Sequence, residues 1–348
     1  YCRRRWLRRI FISPRNTAQP GAMKSICGLI PTSPGGTTQL TSNGMGIALS
    51  NVAHSALHRA RHKGDRVTLV VEASRDSCGA TISGVRLKEP LSADLLAAIR
   101  AHWLEHKVVA FPDQQLSPEQ LVGFSEQFGA IGEDPFFGHI DEHPKVAAIQ
   151  RDANETTSIF AEVFHSDWSF MSVPPAATAL YGLTIPPVGG DTLFSDQVAA
   201  YEQMPEALRA RIDGLTAIHS AALGYAPDGA YGEADQEQGR SMKILSSERA
   251  RETQEHPLVR VHHETGKRAL YSSAAYIKGF VGLEKAESDA LLLELYAHQT
   301  RPEFIYTHRW QVGMLVMWDN RSLLHAATGG YDGHDRLLHR TTISDTRF

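Results

Sequence analysis

From about residue 160 to the C-terminus, the apolar residues come in short runs rich in β-branched and aromatic side chains, closed off by turn-forming pairs. Residues 178–181 (TALY), 192–194 (TLF), 258–261 (LVRV), 268–271 (RALY) and 314–318 (MLVMW) each read as a strand, with Gly-Gly and Pro-Pro pairs between several of them. So many short strands cannot bury themselves singly. They must pair into sheets that pack face to face, and this constrains the chain more than anything else in it. One helix interrupts the series near residues 288–297, with Leu291, Leu292 and Leu295 as its apolar stripe.

Upstream the period changes. Residues 67–71 (VTLVV) read as a strand. Ser92 then starts a helix with Asp94 in its first turn, where a negative charge suits the helix dipole, and Leu95, Leu96, Ile99 and Trp103 recur at helical spacing. Residues 108–111 (VVAF) form a short buried strand. A second helix opens with Ser117 as cap, Pro118 at the first position and Gln120 three residues after the cap. Leu121, Phe124 and Phe128 form its apolar face, and Gly129 is placed to end it. Together these elements predict one domain over residues 66–348, mainly β with outer helices (α+β), as a sandwich or jelly roll.

Residues 1–64 contain ten Lys or Arg and no acidic residue. The remainder therefore carries 25 basic and 39 acidic residues, a balance of −14. A body so acidic gives no basic face for nucleic acid. No apolar run approaches the roughly 18 residues of a membrane span. The leader over residues 1–65 has the composition of an organelle transit peptide, and competes with two plainer readings: a disordered tail, or upstream sequence preceding a start at Met23 or Met45. Cys2, Cys27 and Cys78 form no metal motif; so few thiols point to a reducing compartment, and the expected location is cytoplasmic unless the leader directs import. Homo-oligomerisation is left open.

The chemistry gathers in two places. His165-Ser166-Asp167 offers an imidazole and a carboxylate two residues apart, which on extended backbone reach one metal. Among 17 histidines a rival pair, His139 and Asp141, is expected by chance; it sits in a polar turn, whereas Phe164, Trp168 and Phe170 flank His165. The second place runs from Trp318-Asp319-Asn320-Arg321 through His325 to Arg336 and Arg340. A strand over 336–343 would put both guanidinium groups on one side, suited to gripping carboxylates with paired hydrogen bonds.

Residues 164–170 (FHSDWSF), 189–192 (GGDT), 318–321 (WDNR) and His325…Arg336…Arg340, in this order, resemble the taurine dioxygenase and 2,4-dichlorophenoxyacetate dioxygenase family, from about Ala80 to Thr342. The resemblance implies a double-stranded β-helix (jelly roll, cupin-like) with Fe(II) held by His165, Asp167 and His325. It implies 2-oxoglutarate as co-substrate, its far carboxylate on Arg336 and Thr192, and dioxygen as oxidant. Similar enzymes hydroxylate a small organic anion and release succinate and carbon dioxide; Arg340 matches the position that pairs with that anion. Asp134 and Phe137 stand where the taurine enzyme has a histidine and a tyrosine, and Trp168 and Tyr276 are further candidates for the substrate pocket. A carboxylate at 134 would repel a sulfonate, which favours a larger, more apolar anion such as an aryloxyalkanoate or alkyl sulfate. Two rivals are a zinc hydrolase at the same histidines and a non-catalytic jelly-roll binder.

Overall fold

The structure, a computed structural model, describes residues 69–345. The basic leader, Cys2, Cys27 and the first two residues of the 67–71 run lie outside the described residues. The first strands are β1 (Val70–Ala73), β2 (Ala80–Ser83), β3 (Val108–Phe111), β4 (His139–Ile140), β5 (His143–Arg151), β6 (Pro175–Thr184) and β7 (Thr192–Asp196). There follow β8 (Thr216–His219), β9 (Gln254–Pro257), β10 (Val259–Val261), β11 (Arg268–Leu270) and β12 (Ile277–Phe280). The last four are β13 (Ile305–His308), β14 (Leu315–Asp319), β15 (Leu323–Ala327) and β16 (Arg336–Ser344).

Eight of these form one large sheet in the order β1-β2-β3-β14-β6-β16-β5-β4, and β13-β7-β15 form a smaller one. Strand alternation explains how the two make a sandwich. On one face of the large sheet, Val108, Ala110, Leu180, Val316, Trp318 and Leu338 pack with Phe194 and Leu323 of the small sheet. On the other, Val109, Phe111, Ala179, Tyr181, Leu315 and Met317 pack beneath two helices. The fold class expected from the sequence, a helix-decorated jelly roll, is the one observed.

Both helices begin as their caps dictate. In α1 (Ala93–His106) the Ser92 hydroxyl accepts from the Leu95 amide. In α2 (Pro118–Glu126) Ser117 and Gln120 close a reciprocal capping box. Ile99 and Trp103 of α1, with Leu121 and Phe124 of α2, bury the stripes read from the sequence. Gly129 does not end α2, whose cap is Gln127. A Cβ at 129 would lie 2.9 Å from Ile343 Cγ2, so this glycine lets the loop approach β16. The late helix runs further than read, over α3 (Lys285–Gln299).

One turn positions the site directly. Gly189 and Gly190 both have positive φ, +67° and +70°, and deliver the chain into β7. A Cβ on Gly189 would meet the Gly330 backbone at 2.6 Å. Gly189→Ala is therefore expected to cost more than the roughly 1–2 kcal/mol of left-handed strain alone, because backbone cannot swing aside as a side chain could. Urea denaturation checks this; stability equal to the parent would refute the close approach.

Candidate metal and co-substrate site

The inner face of the sandwich carries a cluster of buried charge. His165 and His325 are joined as an antiparallel pair: the His165 amide donates to the His325 carbonyl (3.0 Å) and the His325 amide returns the bond (2.8 Å). Their rings consequently lie 4.2 Å apart. Beyond this bridge the chain leaves extended geometry. Asp167 sits in a turn and Trp168 takes φ of +47°, so the His-x-Asp pair comes from one bridge and the turn after it, not from a strand ladder. Strain of that kind is typical of functional sites.

The turn brings Asp167 Oδ1 to 3.8 Å from His165 Nε2 and 3.7 Å from His325 Nε2. The three ligand atoms lie within 4.8 Å of one another, and all three residues are buried. His165 Nδ1–H donates to the Val163 carbonyl (2.8 Å), which leaves Nε2 with a free lone pair. His325 Nδ1 has no hydrogen-bond partner. Burial, aided by the neighbouring His165, pushes the His325 imidazole down to about 3, and burial also lowers that of His165. Burial alone would raise Asp167, but Arg340 and the two imidazoles outweigh it and hold the carboxyl well below its usual range. Two neutral imidazoles and one carboxylate, all on one side, form the donor set of a facial triad and fit a divalent first-row metal. The rival pair behaves otherwise: His139 and Asp141 are exposed at the end of β4. A second His/Glu group, His102, Glu105 and His106, lies on the half-exposed face of α1.

Arg336, Leu338 and Arg340 share the inward face of β16, as the predicted strand requires. The two arginines differ in their partners. Arg336 is buried between the rings of Trp310 and Tyr331, each 6.0 Å from the guanidinium. Its single hydrogen bond is to the Gly190 carbonyl (3.2 Å), its Nε has no partner, and burial lowers its pKa. Among the described residues no carboxylate lies within ion-pairing distance of it. Arg340 contacts Asp167 Oδ1 (3.1 Å) and has its Nε 3.4 Å from Asp134 Oδ1, with its guanidinium over Phe137 and Trp168.

His165, Asp167, His325, Thr192, Arg336, Arg340 and Phe137 line one cavity, which holds about 750 Å³ of empty space, part of it open to solvent. Thr192 accepts a hydrogen bond from Trp310 Nε1 (3.0 Å) at the Arg336 end. Asp134, Trp168 and Tyr276 stand behind the lining. Asp134 is buried, which raises its pKa against the pull of Arg340, and it accepts from Trp168 Nε1 (2.7 Å). Tyr276 sets its ring edge against His165. Sequence reasoning did not nominate Phe160, Tyr225 and Tyr331, which complete the wall. Aromatic residues near the His165 run were the available signal for Phe160; Tyr225, at the end of a four-residue helix, and Tyr331, in a loop, carried none.

A jelly roll whose cavity is lined by a buried His-Asp-His cluster, with an arginine that has no carboxylate within ion-pairing distance among the described residues, has the donor set of a mononuclear metal centre. Residues 71–342 match the taurine catabolism dioxygenase TauD, TfdA family, and the chain belongs to it. It is 35% identical over 276 residues to an alkylsulfatase of Acinetobacter baylyi, which covers 76% of this chain and 82% of that one. It is 34% identical over 288 residues to the alpha-ketoglutarate-dependent 2,4-dichlorophenoxyacetate dioxygenase of Cupriavidus pinatubonensis, covering 76% and 94%. Against an alpha-ketoglutarate-dependent sulfate ester dioxygenase of Pseudomonas putida the identity is 33% over 297 residues, covering 84% and 94%. A crystal structure described as a putative alpha-ketoglutarate-dependent taurine dioxygenase from Burkholderia xenovorans superposes with a TM-score of 0.65 at 39% identity, covering 79% of this chain and 92% of that one. The protein is a 2-oxoglutarate-dependent dioxygenase, an oxidoreductase.

His165→Ala should abolish divalent-metal binding and turnover without unfolding the sandwich. His139→Ala should change neither, since its ring is exposed and outside the cavity. Isothermal titration with Mn(II) and a thermal melt read both outcomes; metal binding lost only in His139→Ala would reverse the assignment.

Proposed function

We propose that the protein is an Fe(II) enzyme that hydroxylates a small organic anion, a sulfate ester, sulfonate or aryloxyalkanoate, with 2-oxoglutarate converted to succinate and carbon dioxide. The observation that carries this reading is Arg336, a buried cation with no carboxylate within ion-pairing distance among the described residues, facing the same cavity as the triad. Iron bound there would supply the activation of dioxygen. The chain's own residues orient the two organic substrates around it. Arg336 offers its fork, and Thr192 its hydroxyl, to the far carboxylate of 2-oxoglutarate. Arg340 presents a guanidinium to the anionic end of the primary substrate, and Phe137, Phe160 and Tyr225 enclose its apolar body. Support for the substrate class is twofold: relatives that act on sulfate esters and aryloxyalkanoates, and an aromatic wall suited to more than a two-carbon chain.

Asp134 modifies the charge argument. Its carboxylate lies within ion-pairing reach of Arg340 and is hydrogen-bonded to Trp168 instead of facing the cavity, so its repulsion of an anion is softened by the guanidinium between them. A zinc hydrolase would need a general base beside the metal. The cavity's other carboxylate, Glu155, is engaged by Arg151, Thr157 and Ser241.

Incubation of anaerobically iron-loaded protein with 2-oxoglutarate should produce the weak visible charge-transfer band of the chelate, and a panel of sulfate esters, sulfonates and aryloxyalkanoates should stimulate succinate release. The absence of both would sink the reading. The arginines should then separate. Arg336→Lys keeps the charge but loses the planar fork, and should raise KM for 2-oxoglutarate about tenfold, the equivalent of roughly 1.4 kcal/mol, with little change for the primary substrate. Arg340→Lys should do the reverse. If both variants shift both constants alike, the division of roles is wrong.

A further inference from the structure

Asp167 has two oxygens, and only one of them faces the imidazoles. Oδ1 lies within 3.8 Å of both Nε2 atoms. Oδ2 is turned away and accepts a hydrogen bond from the Thr178 hydroxyl at 2.6 Å. Thr178 is itself bonded: Asn320 Nδ2 donates to its oxygen at 3.0 Å, and Trp318 Nε1 donates to Asn320 Oδ1 at 2.9 Å. The Ser166 hydroxyl closes the loop on the Asn320 carbonyl at 2.8 Å. Thr178, Asn320, Trp318 and Ser166 are all at most 2% exposed, so water does not compete.

The chain of bonds has only one possible polarity. An indole N–H can donate but not accept, so it fixes the Asn320 amide with its oxygen toward Trp318 and its NH₂ toward Thr178. That NH₂ fills an acceptor site on the Thr178 oxygen and leaves the hydroxyl proton for Asp167 Oδ2. Strand pairing supplies the rigidity: Thr178 lies opposite Trp318 on β14 and opposite Thr342 on β16. Charge-assisted bonds this short are among the stronger ones in proteins.

We infer that Thr178 and Asn320 are positioning residues for the metal ligand Asp167, holding Oδ2 out of coordination so that Oδ1 alone is presented to the metal. The inference rests on reading His165, Asp167 and His325 as the metal centre. A carboxylate held to one oxygen keeps a coordination position open, and the orientation of such a ligand is set by the groups behind it.

The test uses metal-free full-length protein. Mn(II) affinity is read by loss of the free-ion electron paramagnetic resonance signal, and coordination by the visible spectrum of the Co(II) form. Thr178→Val keeps the shape and removes the hydroxyl. It should weaken Mn(II) binding about 10–100-fold and shift the Co(II) bands toward a higher coordination number, as Oδ2 becomes free to ligate. Thr178→Ser restores the hydroxyl and should restore both readouts. Asn320→Ala leaves Thr178 in place and should move both in the same direction as Thr178→Val, by a smaller factor, so the inference remains testable if the valine variant fails to fold. Wild-type affinity and spectrum in both Thr178→Val and Asn320→Ala would overturn the inference, as would a serine variant no better than valine. A wild-type protein that binds no Mn(II) would remove the metal centre and this inference with it.

Discussion

The ion pair between Asp167 and Arg340 is the interaction on which the site depends, because it places opposite charges in the dry gap between two sheets. Removing either charge from water costs several kcal/mol, and the attraction repays that only when the remaining lone pairs and protons are satisfied. Here Asp167 meets the condition through hydrogen bonds to both of its oxygens: Thr178 donates to Oδ2 at 2.6 Å and Arg340 to Oδ1 at 3.1 Å. Strand β16 must therefore run directly opposite the turn at Asp167, which fixes the register of β16 against β6 at Arg340↔Leu180. A register slip of one residue would turn Arg336, Leu338 and Arg340 to the helix-covered face, exchanging two buried cations for Leu337 and His339.

How much of this was legible in the sequence follows from what is local. β3, β6 and β14 were legible as strands from their short apolar, β-branched and aromatic runs without any knowledge of their partners, and the capping box of α2 is written in four consecutive residues. The triad was legible because motif order substituted for geometry. The Asn320–Thr178 link was not. Its two residues are 142 positions apart, nothing local links the Asn320 of the WDNR run to a threonine in an ordinary strand, and only pairing of β14 with β6 brings them together. Asp134 was legible as an unusual residue, but its direction was not. Read from sequence it confronts the substrate; in the fold it lies behind Arg340, because Trp168 Nε1 draws one oxygen aside. Gly129 failed for a related reason: a local rule for helix ends was overridden by the approach of Ile343 from the far end of the chain.

The two arginines of β16 show how identical side chains on one strand face acquire different chemistry. Both are buried, both border the same cavity, and they stand four positions apart. Arg340 has two carboxylates within ion-pairing distance, so its charge is balanced within the fold. Among the described residues Arg336 has no carboxylate within ion-pairing distance. Its guanidinium is flanked by two aromatic rings and a single carbonyl, an arrangement that stabilises a planar cation weakly while leaving most of its N–H donors unspent. The difference between them lies in the counter-ions and not in the arginines.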